Sequence, residues 1–144
     1  MKDKVIKRFE EEKGFIYKNG FKIIELDNEH CKMEYKIKSD GLNPYEIVHG
    51  GILFGLADTA AGALASMSGK YPVTMNSTIS YLKKARGKRI YAISKILKQG
   101  NRIGYYVVDI YDDSDELVCN ASVNMYLMNE DANKKISIIW DFFN

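Results

Sequence analysis

The chain has 144 residues, 46% apolar and 28% charged, with a formal net charge of +2. That is the size and make-up of one globular domain, read here as spanning 1–144, and the charge is too small to imply nucleic acid as a partner. Cys31 and Cys119 stand far apart, outside any CxxC or Cys/His spacing, which favours reduced thiols over a disulfide framework or a metal site.

Residues 1–13 carry Val5, Ile6 and Phe9 at helical spacing among mixed charges, with no apolar core of a signal peptide; they predict a short amphipathic helix. Gly14 ends it. Residues 15–26 read as extended segments broken by Asn19-Gly20, a turn dipeptide. From Cys31 the chain alternates, with Cys31, Met33, Tyr35 and Ile37 opposite Lys32, Glu34, Lys36 and Lys38; this is a half-buried antiparallel strand. A loop at 39–49 leads into a helix over 51–68, with Gly69 and then Pro72 to stop it. The stretch 52–69 contains Asp58 and falls short of the roughly 20 apolar residues of a membrane span. With no export signal either, the expected location is the cytoplasm, away from membranes.

Four strand-like segments follow. Val73, Met75, Ser77, Ile79 and Tyr81 alternate with Thr74, Asn76, Thr78 and Ser80; then come 90–98, 103–111 and 117–127, separated by the turns 85–88, 100–101 and 112–115. Strands joined in succession by short turns predict an antiparallel meander. The tail, 129–144, is rich in apolar residues (Ile136, Ile138, Ile139, Trp140, Phe142 and Phe143) and is expected to dock on the body or on a partner subunit. One long helix among strands gives an α+β fold in which the helix lies on the concave face of a curved sheet.

The helix carries the chemical anomaly. Residues 52–68 have almost no polar face and one ionisable group, Asp58, with no Lys or Arg at i±3 or i±4. A helix apolar all round is expected to be buried all round, and a buried carboxylate must be paired, hydrated or functional. Asp58 either closes a structural hydrogen-bond network or does chemistry. His49-Gly50-Gly51 stands where the helix begins, and free N–H groups there attract an anion or a developing oxyanion. Asp58 lies about 11–12 Å further along the same axis. One helix therefore cannot bring both to one carbon, which hints at a site shared between two subunits.

Residues 43–60, Asn-Pro-Tyr-Glu-Ile-Val-His-Gly-Gly-Ile-Leu-Phe-Gly-Leu-Ala-Asp-Thr-Ala, together with 76–87 and 97–102, closely resemble the signature of PaaI-type hotdog thioesterases. The resemblance implies the hotdog fold, a homodimer formed through the sheets and often paired into a homotetramer, and hydrolysis of acyl-CoA. It implies that Asp58 is the general base or nucleophile, that the Gly50 N–H polarises the thioester carbonyl, and that Asn43 orients the carboxylate or the water. His49 mostly holds the loop, and Thr74 stands where many relatives carry a hydroxyl that positions water. The acyl group is expected along the helix flank and the facing strand, with Gly51, Leu53, Phe54, Leu56 and Met75 as its walls; for the CoA nucleotide the resemblance suggests Lys83, Lys84, Arg86 and Arg102 as surface cations. No metal and no cofactor beyond the CoA of the substrate is expected.

Three other readings compete. A non-catalytic acyl-CoA-binding module needs the pocket but not Asp58. A hydratase or dehydratase would need a catalytic His free of the glycine motif. A structural oligomer would use Asp58 to close an interface network.

Overall fold

The computed structural model describes residues 1–11 and 13–129; the expected docking of the apolar tail falls on 130–144, outside them. The elements are α1 (Lys2–Glu11), α2 (Phe15–Asn19), β1 (Lys22–Leu26), β2 (His30–Lys36), a 3-10 turn (Ser39–Gly41), α3 (Gly50–Ser66), β3 (Tyr71–Tyr81), β4 (Arg89–Gln99), β5 (Ile103–Asp112) and β6 (Leu117–Met128). The six strands form one antiparallel sheet in the order β1-β2-β4-β5-β6-β3, and α3 packs across it. This is the hotdog arrangement expected.

Small residues make the wrap possible. Ala57, Ala60, Ala61, Ala63 and Ala65 are buried on α3, so the sheet backbone comes close to the helix. The buried Ser94 hydroxyl on β4 donates to the Ala60 carbonyl at 3.0 Å, which satisfies a group that would otherwise cost free energy in the core. Around this contact pack Met33, Tyr35, Leu56, Leu64, Ile90, Val108 and Ile110, all essentially sealed from water. Each large aliphatic buried in this way contributes about 1.5–3 kcal/mol.

Three expectations need correction. First, residues 15–19 are helical rather than extended. The Phe15 ring lies against the bare Cα of Gly55, where a Cβ would come within 2.9 Å of it. It also meets Phe21 edge-on at 5.8 Å, while Gly20 caps the turn at φ 69°. Second, β3 is not the first strand of a meander. Of β3 to β6, only β4, β5 and β6 run in succession; β3 pairs with β6, and β4 with β2 and β5. Third, α3 is not covered all round. Its first half leaves Gly51 and Phe54 exposed and Gly55 and Asp58 half-buried.

The β3 alternation is broken by a bulge between Thr74 and Asn76. Before it, Pro72 and Thr74 pair with the buried Leu127 and Met125; after it, Ser77, Ile79 and Tyr81 pair with the buried Val123, Ala121 and Cys119. Paired residues of an antiparallel ladder share a face. The extra residue, Met75, therefore switches the inward set from even to odd positions and turns Thr74 toward α3.

Candidate active site

Asp58 and Thr74 meet across the helix–sheet interface. The Thr74 hydroxyl donates to Asp58 Oδ1 at 2.6 Å. Among the described residues no cation is within ion-pair distance of Asp58. Thr74 can thus hold one carboxylate oxygen while Oδ2 stays available to a water or an acyl carbon.

The pair opens on a cleft of about 290 Å³. Its helix wall is Asp58, Gly62 and Ser66, spaced four residues apart and so stacked on one face of α3. Tyr71, Pro72 and Thr74 of β3 and Met125 of β6 form the opposite wall, and Arg8 and Phe9 of α1 with Ile16 of α2 form the cover. Sequence reasoning missed most of these walls. The small residues at i+4 and i+8 from Asp58 were the available signal; nothing in the sequence placed α1 over them.

The His-Gly-Gly segment opens a second cleft, of about 340 Å³, with Asn43, Gly50, Leu53, Tyr81 and Lys84 among its walls. His49 is the N-cap of α3, and its Nδ1 accepts from the Gly51 N–H at 2.7 Å. The accepting nitrogen carries no proton, so the neutral ring is protonated at Nε2. The Gly51 N–H is used by this cap, whereas the Gly50 N–H has no acceptor among the described residues. The Gly50 carbonyl accepts from the Tyr81 hydroxyl at 3.0 Å, and a Cβ on Gly50 would meet that ring at 3.2 Å. Asn43 Oδ1 accepts from the N–H groups of Tyr45 (2.9 Å) and Ile47 (3.2 Å), which folds the loop. Its amide NH₂ makes no hydrogen bond among the described residues.

Asp58 and Gly50 therefore lie in different clefts of one chain, beside the two ends of β3. The other expected residues distribute unevenly. Leu53 and Lys84 share the cleft of Gly50. Lys83 pairs with Glu116. Leu56 is sealed in the core, while Phe54 (37% exposed) and Met75 (46%) line neither cleft. Arg86 is an exposed turn residue whose N–H donates to the buried Asp112 carboxylate. Arg102 lies in a third cleft beside Lys70 and Asn101.

Burial pushes the Cys31 thiol up to about 12 and the Cys119 thiol up to about 11. Neither is a thiolate at neutral pH, so a cysteine nucleophile is excluded on chemical grounds. Among the described residues no cluster of His, Cys, Asp and Glu has the grouping of a metal site, and no helix is long and apolar enough to cross a membrane.

Comparison with known proteins gives a consistent picture. A family model described as the thioesterase superfamily matches residues 45–119. A candidate esterase of Archaeoglobus fulgidus is 30% identical over 127 residues, covering 83% of this chain and 82% of that protein. The Escherichia coli acyl-coenzyme A thioesterase PaaI is 29% identical over 100 residues, covering 69% of this chain and 71% of its own. A hypothetical thioesterase of Streptococcus pneumoniae, solved with coenzyme A, superposes with a TM-score of 0.72 at 28% identity, covering 76% of this chain and 86% of that one.

Proposed function

The chain belongs to the thioesterase superfamily, and we propose that it hydrolyses acyl-CoA to the free acid and CoA at a site built by two copies of itself. The observation that carries this reading is the division of labour along α3 and β3: Asp58 with its Thr74 donor at one end, the unused Gly50 N–H at the other.

Strand β3 supplies the means of joining them. It is an edge strand of 11 residues without a single charge, and Val73, Met75 and Tyr81 are 46–52% exposed on it. Proteins ordinarily protect such an edge; β1, the other edge, is short, kinked and carries Lys22 and Glu25. Antiparallel pairing of β3 with β3 of a second copy, centred on Ser77 and Thr78, would set Thr74 of each chain opposite Tyr81 of the other. The Gly50 cleft of one copy then covers Asp58 of the other. Assembly of such dimers into a tetramer, and a cytoplasmic location, rest on the family resemblance alone.

In this site the thioester oxygen accepts from the Gly50 N–H as charge develops on it, at the positive end of α3. Asp58, held by Thr74, removes a proton from the attacking water, or attacks the carbonyl itself to give an anhydride that water then opens. CoA leaves as the thiol. Asn43 of the copy that supplies Gly50 donates its amide N–H toward the water or the carboxylate. Two solved variants of the pneumococcal protein change an aspartate and a threonine to alanine, and those two lie as far apart in sequence as Asp58 and Thr74.

The test is thiol release from acyl-CoAs of graded length by the wild type and by Asp58→Asn. Turnover that collapses in the variant, with fold and acyl-CoA binding retained, fits the enzyme. Binding without turnover in both proteins would make it a binding module, and loss of fold or assembly in the variant would make Asp58 structural.

A further inference from the structure

We propose that Arg8 selects the far end of the acyl group, so that the preferred substrates carry a carboxylate there; this rests on the thioesterase reading of the same cleft. The cleft is polar at both ends and apolar between. Asp58 and Thr74 stand at one end. From there α3 runs through Gly62 to Ser66 while β3 runs back to Tyr71, and at that end lies Arg8, its guanidinium 4.5 Å over the Tyr71 ring. Phe9, Ile16 and Met125 lie between.

Stacking uses only the face of the guanidinium. Its in-plane N–H donors, the fork that fits a carboxylate, have no acceptor among the described residues, and Arg8 makes no ion pair there. Beyond it a smaller recess brings Lys4 and Lys70 against the same wall. The two recesses together are lined by Arg8, Lys4 and Lys70, whose ammonium donates to Asn101. Among the described residues no carboxylate other than Asp58 lines either recess.

The length of the cleft sets the size of the acyl group. Eight helical residues from Asp58 to Ser66 span roughly 12 Å, and three extended residues from Thr74 to Tyr71 roughly 10 Å. About 3 Å at the reacting carbon and about 3 Å for a charge-assisted contact leave roughly 5 Å, the reach of four or five extended carbons. Succinyl and glutaryl groups have this form. A plain acyl chain of equal length would leave the guanidinium facing hydrocarbon.

Glutaryl-CoA and pentanoyl-CoA, matched in length, test this in two arms. In turnover, the wild-type kcat/KM is expected to favour glutaryl-CoA by about tenfold or more, the usual weight of a charge-assisted contact partly open to water. Arg8→Met should abolish that ratio, and Arg8→Lys should restore part of it. A wild-type ratio near one, or a ratio unchanged in Arg8→Met, overturns the proposal while leaving the thioesterase reading intact. The second arm is calorimetric binding of the same pair to Asp58→Asn, which needs no turnover. Equal affinities there overturn the role of Arg8; a tenfold preference lost on adding Arg8→Met upholds it, even if absence of turnover by the wild type were to sink the thioesterase reading.

Discussion

Gly50→Pro removes one hydrogen-bond donor and little else. Gly50 is the first residue of α3, preceded by His49 at φ −61° and ψ 135°, the extended conformation a residue before proline prefers. The first helical position tolerates proline because its N–H has no helical partner, and here that N–H is free. The added Cβ crowds Tyr81 at about 3.2 Å, and Tyr81, 52% exposed, has room to yield. The expected result is a folded protein whose kcat falls by about 10²–10³, the usual loss of one oxyanion donor. Gly50→Ala keeps the N–H and should lose far less. Mixing then tests whether the site is shared. Gly50→Pro and Asp58→Asn chains, unfolded together and refolded at equal ratio, form about half heterodimers, each with one intact and one doubly broken site. Thiol release should recover to about a quarter of wild type, against near zero for either variant alone. Full activity in Gly50→Pro refutes the assignment of the donor, and no recovery on mixing refutes the shared site.

Thr74→Val keeps the shape of the strand residue but removes the hydroxyl that holds Asp58 Oδ1; kcat should fall by about tenfold, given a charged hydrogen bond in a half-open site, and Thr74→Ser should retain most activity. His49 acts through its cap on the Gly51 N–H, so His49→Ala should cost about 1 kcal/mol of stability in urea unfolding, whereas His49→Asn, a better cap, should cost little; acid–base catalysis by His49 would instead show as a large kcat loss in His49→Asn. The buried thiols give a pH signature. Their folded values, about 12 for Cys31 and 11 for Cys119, lie above the ordinary value of 9.0. The unfolded chain therefore loses those protons first, and stability, constant on this account below pH 9, falls as pH rises from there. The slope is at most about 1.4 kcal/mol per pH unit per thiol, and replacing Cys31 by Val should remove its share.

Local signals in the sequence translated well into local structure. Alternation marked β2 and β3, short turns marked off β4–β6, and an apolar run between His49 and Gly69 marked α3. The lone carboxylate in that run marked Asp58. What sequence could not supply were relations between distant segments. Alternation says that 71–81 is a strand but not that its neighbour is β6. Nor does it reveal the bulge at Met75, which exists because the strand must present Thr74 to Asp58 and Tyr81 to Gly50 on the same face; uninterrupted alternation would put them on opposite faces. Aromatic and β-branched residues at 15–17 suggest a strand by propensity, and the packing of Phe15 on Gly55 overrides it. The cover formed by α1 was invisible for the same reason, since amphipathicity shows which face is buried but not against what.

The bulge joins the structural and chemical arguments. Across β3 the two inward polar contacts, Thr74 to Asp58 and Tyr81 to Gly50, are seven residues apart, an odd separation that a regular strand cannot place on one face. One inserted residue reconciles them and leaves Met75 pointing outward on an uncharged edge. The same insertion therefore aims the hydroxyl at the carboxylate and places an apolar side chain where a second copy would pair. A protein in which Asp58 served only packing would need neither. A chain that must bring its own Asp58 to the Gly50 of another copy needs both, and the sheet edge is the place where one irregularity can provide them.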